Sequence, residues 1–121
     1  MPDRHFIGDR IKSVGYALKG AWLLLSTEGS IQVQASIALA VTAAGWYFRI
    51  TPTEWMIQLL AIGMVMGIEG VNTAVEKLSD YVQPGQDERI GKVKDISAGA
   101  VLLASIMAGI AGLVIYLPRI F

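Results

Sequence analysis

The chain has 121 residues, 54% of them hydrophobic, and a mean hydropathy of +0.53. Ten Lys and Arg balance ten Asp and Glu, so the basic excess expected of a nucleic-acid binder is missing. With no cysteine and a single histidine, His5, disulfides, Cys-based zinc sites, thiol catalysis and His-centred triads are excluded.

The length admits one domain, residues 1–121. Met1–Asp9 is followed by an amphipathic stretch, without the apolar core and small-residue cleavage site of a signal peptide, so a cleaved leader is not expected. From about 6 to 28, Phe6, Ile7, Ile11, Val14, Leu18, Trp22 and Leu25 recur at spacings of three and four. This predicts an amphipathic surface helix, resting in the cytoplasmic interface or packed on the bundle. Ile31–Phe48 then runs 18 residues without a charge, and Ile96–Pro118 runs 23. Trp55–Ile68 runs 14, is broken by Glu69, and resumes at Gly70–Val75. A bilayer-spanning helix needs about 20 apolar residues, so three spans are expected near 31–49, 54–80 and 93–117. A soluble bundle would need a polar stripe along each helix, and residues 100–117 have none. The expected fold is all-α and integral to a membrane: one surface helix and three spans. Gly63, Gly67 and Gly70, and Ala100, Ala104, Ala108 and Gly112, are spaced for close helix contact in lipid.

The charges, sorted by position, give a topology. Arg4, Arg10, Lys12 and Lys19 precede the first span; Lys77, Arg89, Lys92 and Lys94 lie between or beside the second and third. Only Arg49 and Arg119 lie at the opposite ends. The positive-inside rule puts the N-terminus and the 81–92 loop in the cytoplasm, and the 49–54 turn and C-terminus outside. Trp46, Tyr47, Trp55 and Tyr116 fall near the outer ends, as interfacial aromatics should.

Glu69, Asn72, Glu76 and Asp80 follow one another at i, i+3, i+7 and i+11. At about 100° per residue they share an arc of roughly 80° on one helix face. The stripe runs from inside the membrane to its cytoplasmic edge, where Glu28, Lys94 and Asp95 also collect. An ionisable residue in a span is costly and suggests function, and no cation lies in the turns beside Glu69. Glu76 could still be a structural ion pair with Lys77 or Lys94. Clustered carboxylates without His or Cys suit Mg²⁺, which completes its shell with substrate phosphates. Gly91-Lys92 is followed by Val93, so there is no P-loop. A proton- or cation-conducting oligomer, or a structural subunit with the acids as assembly glue, are the competing readings.

Glu69-Gly-Val-Asn-Thr-Ala-Val-Glu-Lys-Leu-Ser-Asp80 resembles the E-x-x-N-[ST]-A-[IV]-E-x-x-x-D signature of the prokaryotic diacylglycerol kinase family, which includes the undecaprenol kinases. Lys94-Asp95 with Ser97-Ala-Gly-Ala-Val-Leu resembles its second block. Gly15-Tyr16 through Lys19-Gly20, and Glu28, resemble its N-terminal block. The resemblance implies a homotrimer in the bacterial inner membrane, with active sites shared between subunits. It implies transfer of the γ-phosphate of ATP, with Mg²⁺, to a membrane lipid alcohol. Glu69 would be the catalytic base, and Glu28 and Glu76 would hold the metal. Tyr16, Asn72, Asp80, Lys94 and Asp95 would position the nucleotide, and Arg10 resembles an N-terminal nucleotide- or lipid-contacting arginine. Gly85, Gln86 and Asp87 occupy the family's phosphate- or adenine-contacting loop with different residues. Thr53-Glu54-Trp55-Met56 and Ile115-Tyr-Leu-Pro-Arg119 resemble the undecaprenol kinase branch, and Ala98 stands where the diacylglycerol branch has serine.

Overall fold

The computed structural model describes residues 5–121, which form four helices: α1 (Phe6–Thr27), α2 (Gly29–Phe48), α3 (Pro52–Val82) and α4 (Glu88–Ile120). Arg4, counted above among the cytoplasmic basic residues, lies outside the described residues. Each of α2, α3 and α4 is long and apolar enough to cross a membrane.

A single residue separates α1 from α2. Glu28 is extended, with φ −101° and ψ 113°, and its N–H still donates to Leu24 O at 3.2 Å. The apolar stripe read on α1 points outward: Phe6, Ile7, Ile11, Val14, Leu18, Trp22 and Leu25 are all exposed. A different face of α1, with Ala17, Gly20, Ala21 and Leu24, lines an open groove against α3. A Cβ on Gly70 would come within 3.0 Å of Leu24 Cδ1.

The turn after α2 is built from local chemistry. Arg49 takes the left-handed conformation, φ 53°, that usually selects glycine after a helix, and Ile50 N–H donates to Gly45 O at 3.2 Å. Thr51 and Glu54 then form a reciprocal capping box, at 3.1 and 2.9 Å, with Pro52 in the first turn of α3. Gly45 leaves room for the Trp55 ring, which a Cβ there would approach to 2.8 Å.

Helix α4 is longer than the apolar run that predicts it. Asp87 caps its start, accepting from Arg89 N–H at 2.8 Å and Ile90 N–H at 3.3 Å. The loop expected over 81–92 therefore shrinks to 83–87. At the other end the helix continues through Pro118 to Ile120. Proline there removes only one late hydrogen bond, and Arg119 donates to Ile115 O at 2.7 Å.

Helices α3 and α4 share the largest contact, with α2 against α3. Among the described residues, buried apolar ones are few: Ile31, Ile50, Val65, Ala104 and Ile115. Gln58, Glu69, Asn72, Thr73 and Ser79 are buried too, while Leu, Ile, Val and Met side chains face outward along every helix. That inverts the ordinary soluble pattern and suits surroundings of lipid or further protein. Gly63 and Gly67, read as helix-contact residues, have open space beside their Cα atoms within one chain, whereas Gly70 meets α1.

Candidate active site

The stripe forms on the half of α3 nearer the loop to α4, as the periodicity requires. Glu69 and Asn72 are each 7% exposed. No basic side chain reaches Glu69 among the described residues, and its backbone carbonyl accepts from Thr73 Oγ1 at 3.1 Å. Asn72 donates from Nδ2 to Glu76 Oε1 at 3.0 Å. Its other polar atom, Oδ1, is buried without a partner. Turning the amide over would set its oxygen against a carboxylate oxygen, so the Glu76 contact fixes the orientation. A buried acceptor left unmatched costs about 1–3 kcal/mol, and such atoms call for an explanation.

Two ion pairs tie the helices together at this end of the molecule. Lys94 Nζ bonds Asp80 Oδ1, joining α4 to the end of the stripe. Lys77 Nζ reaches Glu28 Oε1 at 3.1 Å, joining the α1–α2 junction to α3. Glu76 thus pairs with neither Lys77 nor Lys94 but with Asn72, one turn away. On the helix Lys77 lies about 100° from Glu76, so Glu28 is engaged on a different flank of α3 from the stripe. Asp95 is exposed beside Lys94.

Tyr16 is exposed on α1, and Arg10 lies over the Phe6 ring, 5.6 Å from its centroid, a cation–π distance. Among the described residues, neither bonds to the stripe within one chain. Asp87 is committed to capping α4, which gives the 85–87 loop a structural role.

For a divalent cation the donor set is oxygen only, as Mg²⁺ prefers. Glu76, Asp80 and the unmatched Asn72 Oδ1 lie on one face, and Glu28 is nearby on another. No group of three or more Asp, Glu or His comes together as a metal cage among the described residues. One or two carboxylates with substrate phosphates is the usual Mg²⁺ arrangement, so the residues fit a metal that arrives with a nucleotide.

A second polar cluster, at the opposite end of the molecule, was not read as a site. Arg119 makes a forked ion pair with Glu54, Nη1 to Oε2 at 2.7 Å and Nη2 to Oε1 at 2.5 Å. Tyr116 Oη donates to Gln58 Oε1 at 2.5 Å, and Gln58 Nε2 donates to Val41 O at 3.1 Å. Gln58 is an uncharged polar residue inside a charge-free run, and that was the available signal.

The profile of the prokaryotic diacylglycerol kinase family matches residues 15–116. The chain is 35% identical over 109 residues to the undecaprenol kinase of Bacillus subtilis strain 168, covering 90% of this chain and 89% of that one. It is 29% identical over 99 residues to the diacylglycerol kinase of Escherichia coli strain K12, covering 81% and 80%. It is 31% identical over 107 residues to the diacylglycerol kinase of Synechocystis sp. PCC 6803, covering 88% and 61%. The matched segment takes in the whole α3 stripe, Tyr16, Glu28, Lys94 and Asp95, and leaves out Arg10. With three apolar helices, a buried carboxylate on one of them and this breadth of similarity, the chain belongs to the prokaryotic diacylglycerol kinase family of membrane lipid kinases.

Proposed function

We propose that the chain transfers the γ-phosphate of ATP to the hydroxyl of a membrane lipid alcohol, with Mg²⁺, at the cytoplasmic face of the bacterial inner membrane. The observation that carries this reading is the shared face of α3, where buried Glu69, without a cation, is followed by Asn72 with an unmatched acceptor.

Glu69 is the base in this reading. It takes the proton from the lipid hydroxyl as that oxygen bonds to the γ-phosphorus and the bond to the ADP oxygen breaks. The alcohols concerned carry a small neutral headgroup, so their hydroxyl can sit below the lipid phosphates and meet a buried carboxylate. Glu76 and Glu28 would hold the metal, which when bound neutralises phosphate charge. Asn72, Asp80, Lys94 and Asp95 position the nucleotide, Lys94 as a point charge for phosphate oxygens. Tyr16 and Arg10 on α1 close over it from the cytoplasmic interface, where the outward apolar stripe of α1 rests in lipid. Three thin helices cannot enclose both substrates, and Tyr16 and Arg10 stand apart from the stripe within one chain. A homotrimer that completes each site from two subunits answers both points.

Undecaprenol is the acceptor we favour. The Bacillus subtilis relative is named an undecaprenol kinase, and the segments at 53–56 and 115–119 resemble that branch.

The test is ATP-dependent phosphorylation of undecaprenol and of diacylglycerol by purified protein in lipid, in parallel. Transfer is expected to undecaprenol first, and to be lost in Glu69→Gln and Glu76→Gln with the oligomer intact. Full transfer by both variants overturns the assignment. Ion flux through liposomes without nucleotide would point to a conducting oligomer instead.

A further inference from the structure

The cluster formed by Glu54, Arg119, Gln58 and Tyr116 has no part in the reaction proposed above, yet it involves both segments that resemble the undecaprenol kinase branch. Its geometry ties it to the active end. Gln58 meets Tyr116, and Asp80 meets Lys94. From Gln58 to Asp80 is 22 residues along α3, and from Tyr116 to Lys94 is 22 residues back along α4. One antiparallel register therefore satisfies both ends. At 1.5 Å per residue the two contacts stand about 33 Å apart, close to the roughly 30 Å of a bilayer's hydrocarbon core. Between them no polar contact links the two helices among the described residues: Val65 and Ala104 are buried, while Val65, Ala108 and Gly112 line an apolar cavity, so this stretch supplies no directional bond to set the register.

We infer that the outer cluster is the pin that sets the axial register of α4 against α3, and that Glu54, Arg119, Gln58 and Tyr116 are positioning residues for Lys94 at the other face of the membrane. The outer contacts are suited to this. A forked guanidinium–carboxylate pair is directional. Gln58 is buried at 6% exposure and bonded both to Tyr116 and to the backbone of α2, and Tyr116 Oη also lies 3.0 Å from Val41 O. Glu54 is held in addition by the capping box. The inner contact is a single exposed lysine on an exposed carboxylate, too weak to set register alone. It is also the pair that nucleotide binding must disturb, so a fixed point elsewhere is needed for Lys94 to return to.

The consequence for catalysis rests on the proposed nucleotide role of Lys94; the register itself does not. Glu54→Gln with Tyr116→Phe removes the ion pair and the phenol bond, while glutamine still serves the capping box. The chain has no cysteine, so Leu78→Cys and Ile96→Cys, both exposed positions near the inner end, can carry spin labels. Labelled protein is diluted with unlabelled chain so that distances within one subunit dominate. The parent is expected to give one narrow distance, and the Glu54→Gln/Tyr116→Phe variant a broadened or shifted one. The variant's KM for ATP should rise about fivefold with kcat little changed, and Arg119→Lys, which keeps a charge on Glu54 but loses the fork, should fall between the variant and the parent. Tyr116→Phe alone serves if the double variant does not fold. An unchanged distance distribution overturns the inference whatever the activity, and a broadened one with unchanged KM overturns its catalytic consequence. A shifted distance in a protein that phosphorylates no lipid leaves the pin standing and removes the kinase reading.

Discussion

Asn72 and Glu76 lie one helical turn apart on α3, joined by a 3.0 Å bond from the amide Nδ2 to the carboxylate Oε1. The bond leaves the Oδ1 of Asn72 buried with nothing to accept from among the described residues. An arrangement selected for stability alone would not strand that oxygen, since the unmatched acceptor costs about 1–3 kcal/mol. Asn72→Leu is therefore expected to keep or raise thermal stability while reducing phosphoryl transfer by about 100-fold or more. Glu76 is exposed enough for water to replace the lost donor. A melting temperature that falls together with activity would show that Asn72 is structural.

Lys94 and Asp80 make the opposite case. Their side chains are 37% and 63% exposed, and pairs of that kind contribute about 0–1 kcal/mol and weaken with salt. Lys94→Met is expected to leave the fold within about 1 kcal/mol of the parent. Its phosphoryl transfer should fall more than about tenfold, because an ammonium at phosphate oxygens acts where charge develops. Unfolding in denaturing detergent, measured beside initial rates, separates the two effects.

What could be read from the sequence was local or compositional. Three spans follow from missing charge, and the Glu69–Asp80 stripe follows from the helical period alone, so the structure reproduces both. Partner choice was not readable, because it depends on how two long helices are set against each other. Arg119 and Glu54 are 65 residues apart, as Tyr116 and Gln58 are 58. Lys77 could as well have served Glu76 as Glu28. The α4 start was missed for a different reason: Asp87 looked like a loop acid, and only its bonds to Arg89 and Ile90 N–H show it to be a cap.

Gly45 allows the chain to turn from α2 into α3. A Cβ there would lie 2.8 and 2.9 Å from the Trp55 ring carbons Cη2 and Cζ2, and 3.1 Å from Ile50 Cδ1. A rigid indole cannot yield as a flexible side chain can, so Gly45→Ala should destabilise by about 1–3 kcal/mol through overpacking. Trp55→Leu in the same background should recover part of the loss, since removing the ring removes the clash. A neutral Gly45→Ala would mean that the turn relaxes at no cost.

The proposed topology rests on eight basic residues against two, and the cysteine-free chain lets it be tested one position at a time. Thr53, Gln86 and Phe121 are all exposed, at the α2–α3 turn, the α3–α4 loop and the C-terminus. Single Thr53→Cys and Phe121→Cys proteins in intact cells with a permeable outer barrier should react with a membrane-impermeant maleimide. Gln86→Cys should react only after the inner membrane is opened. Arg49 and Arg119 weigh against the other eight, so adding basic residues beside Arg119 should weaken the bias and produce a fraction with Gln86→Cys labelled from outside. Labelling of Gln86→Cys in intact cells without added charge would place the active stripe on the side away from ATP, and the kinase assignment could not survive it.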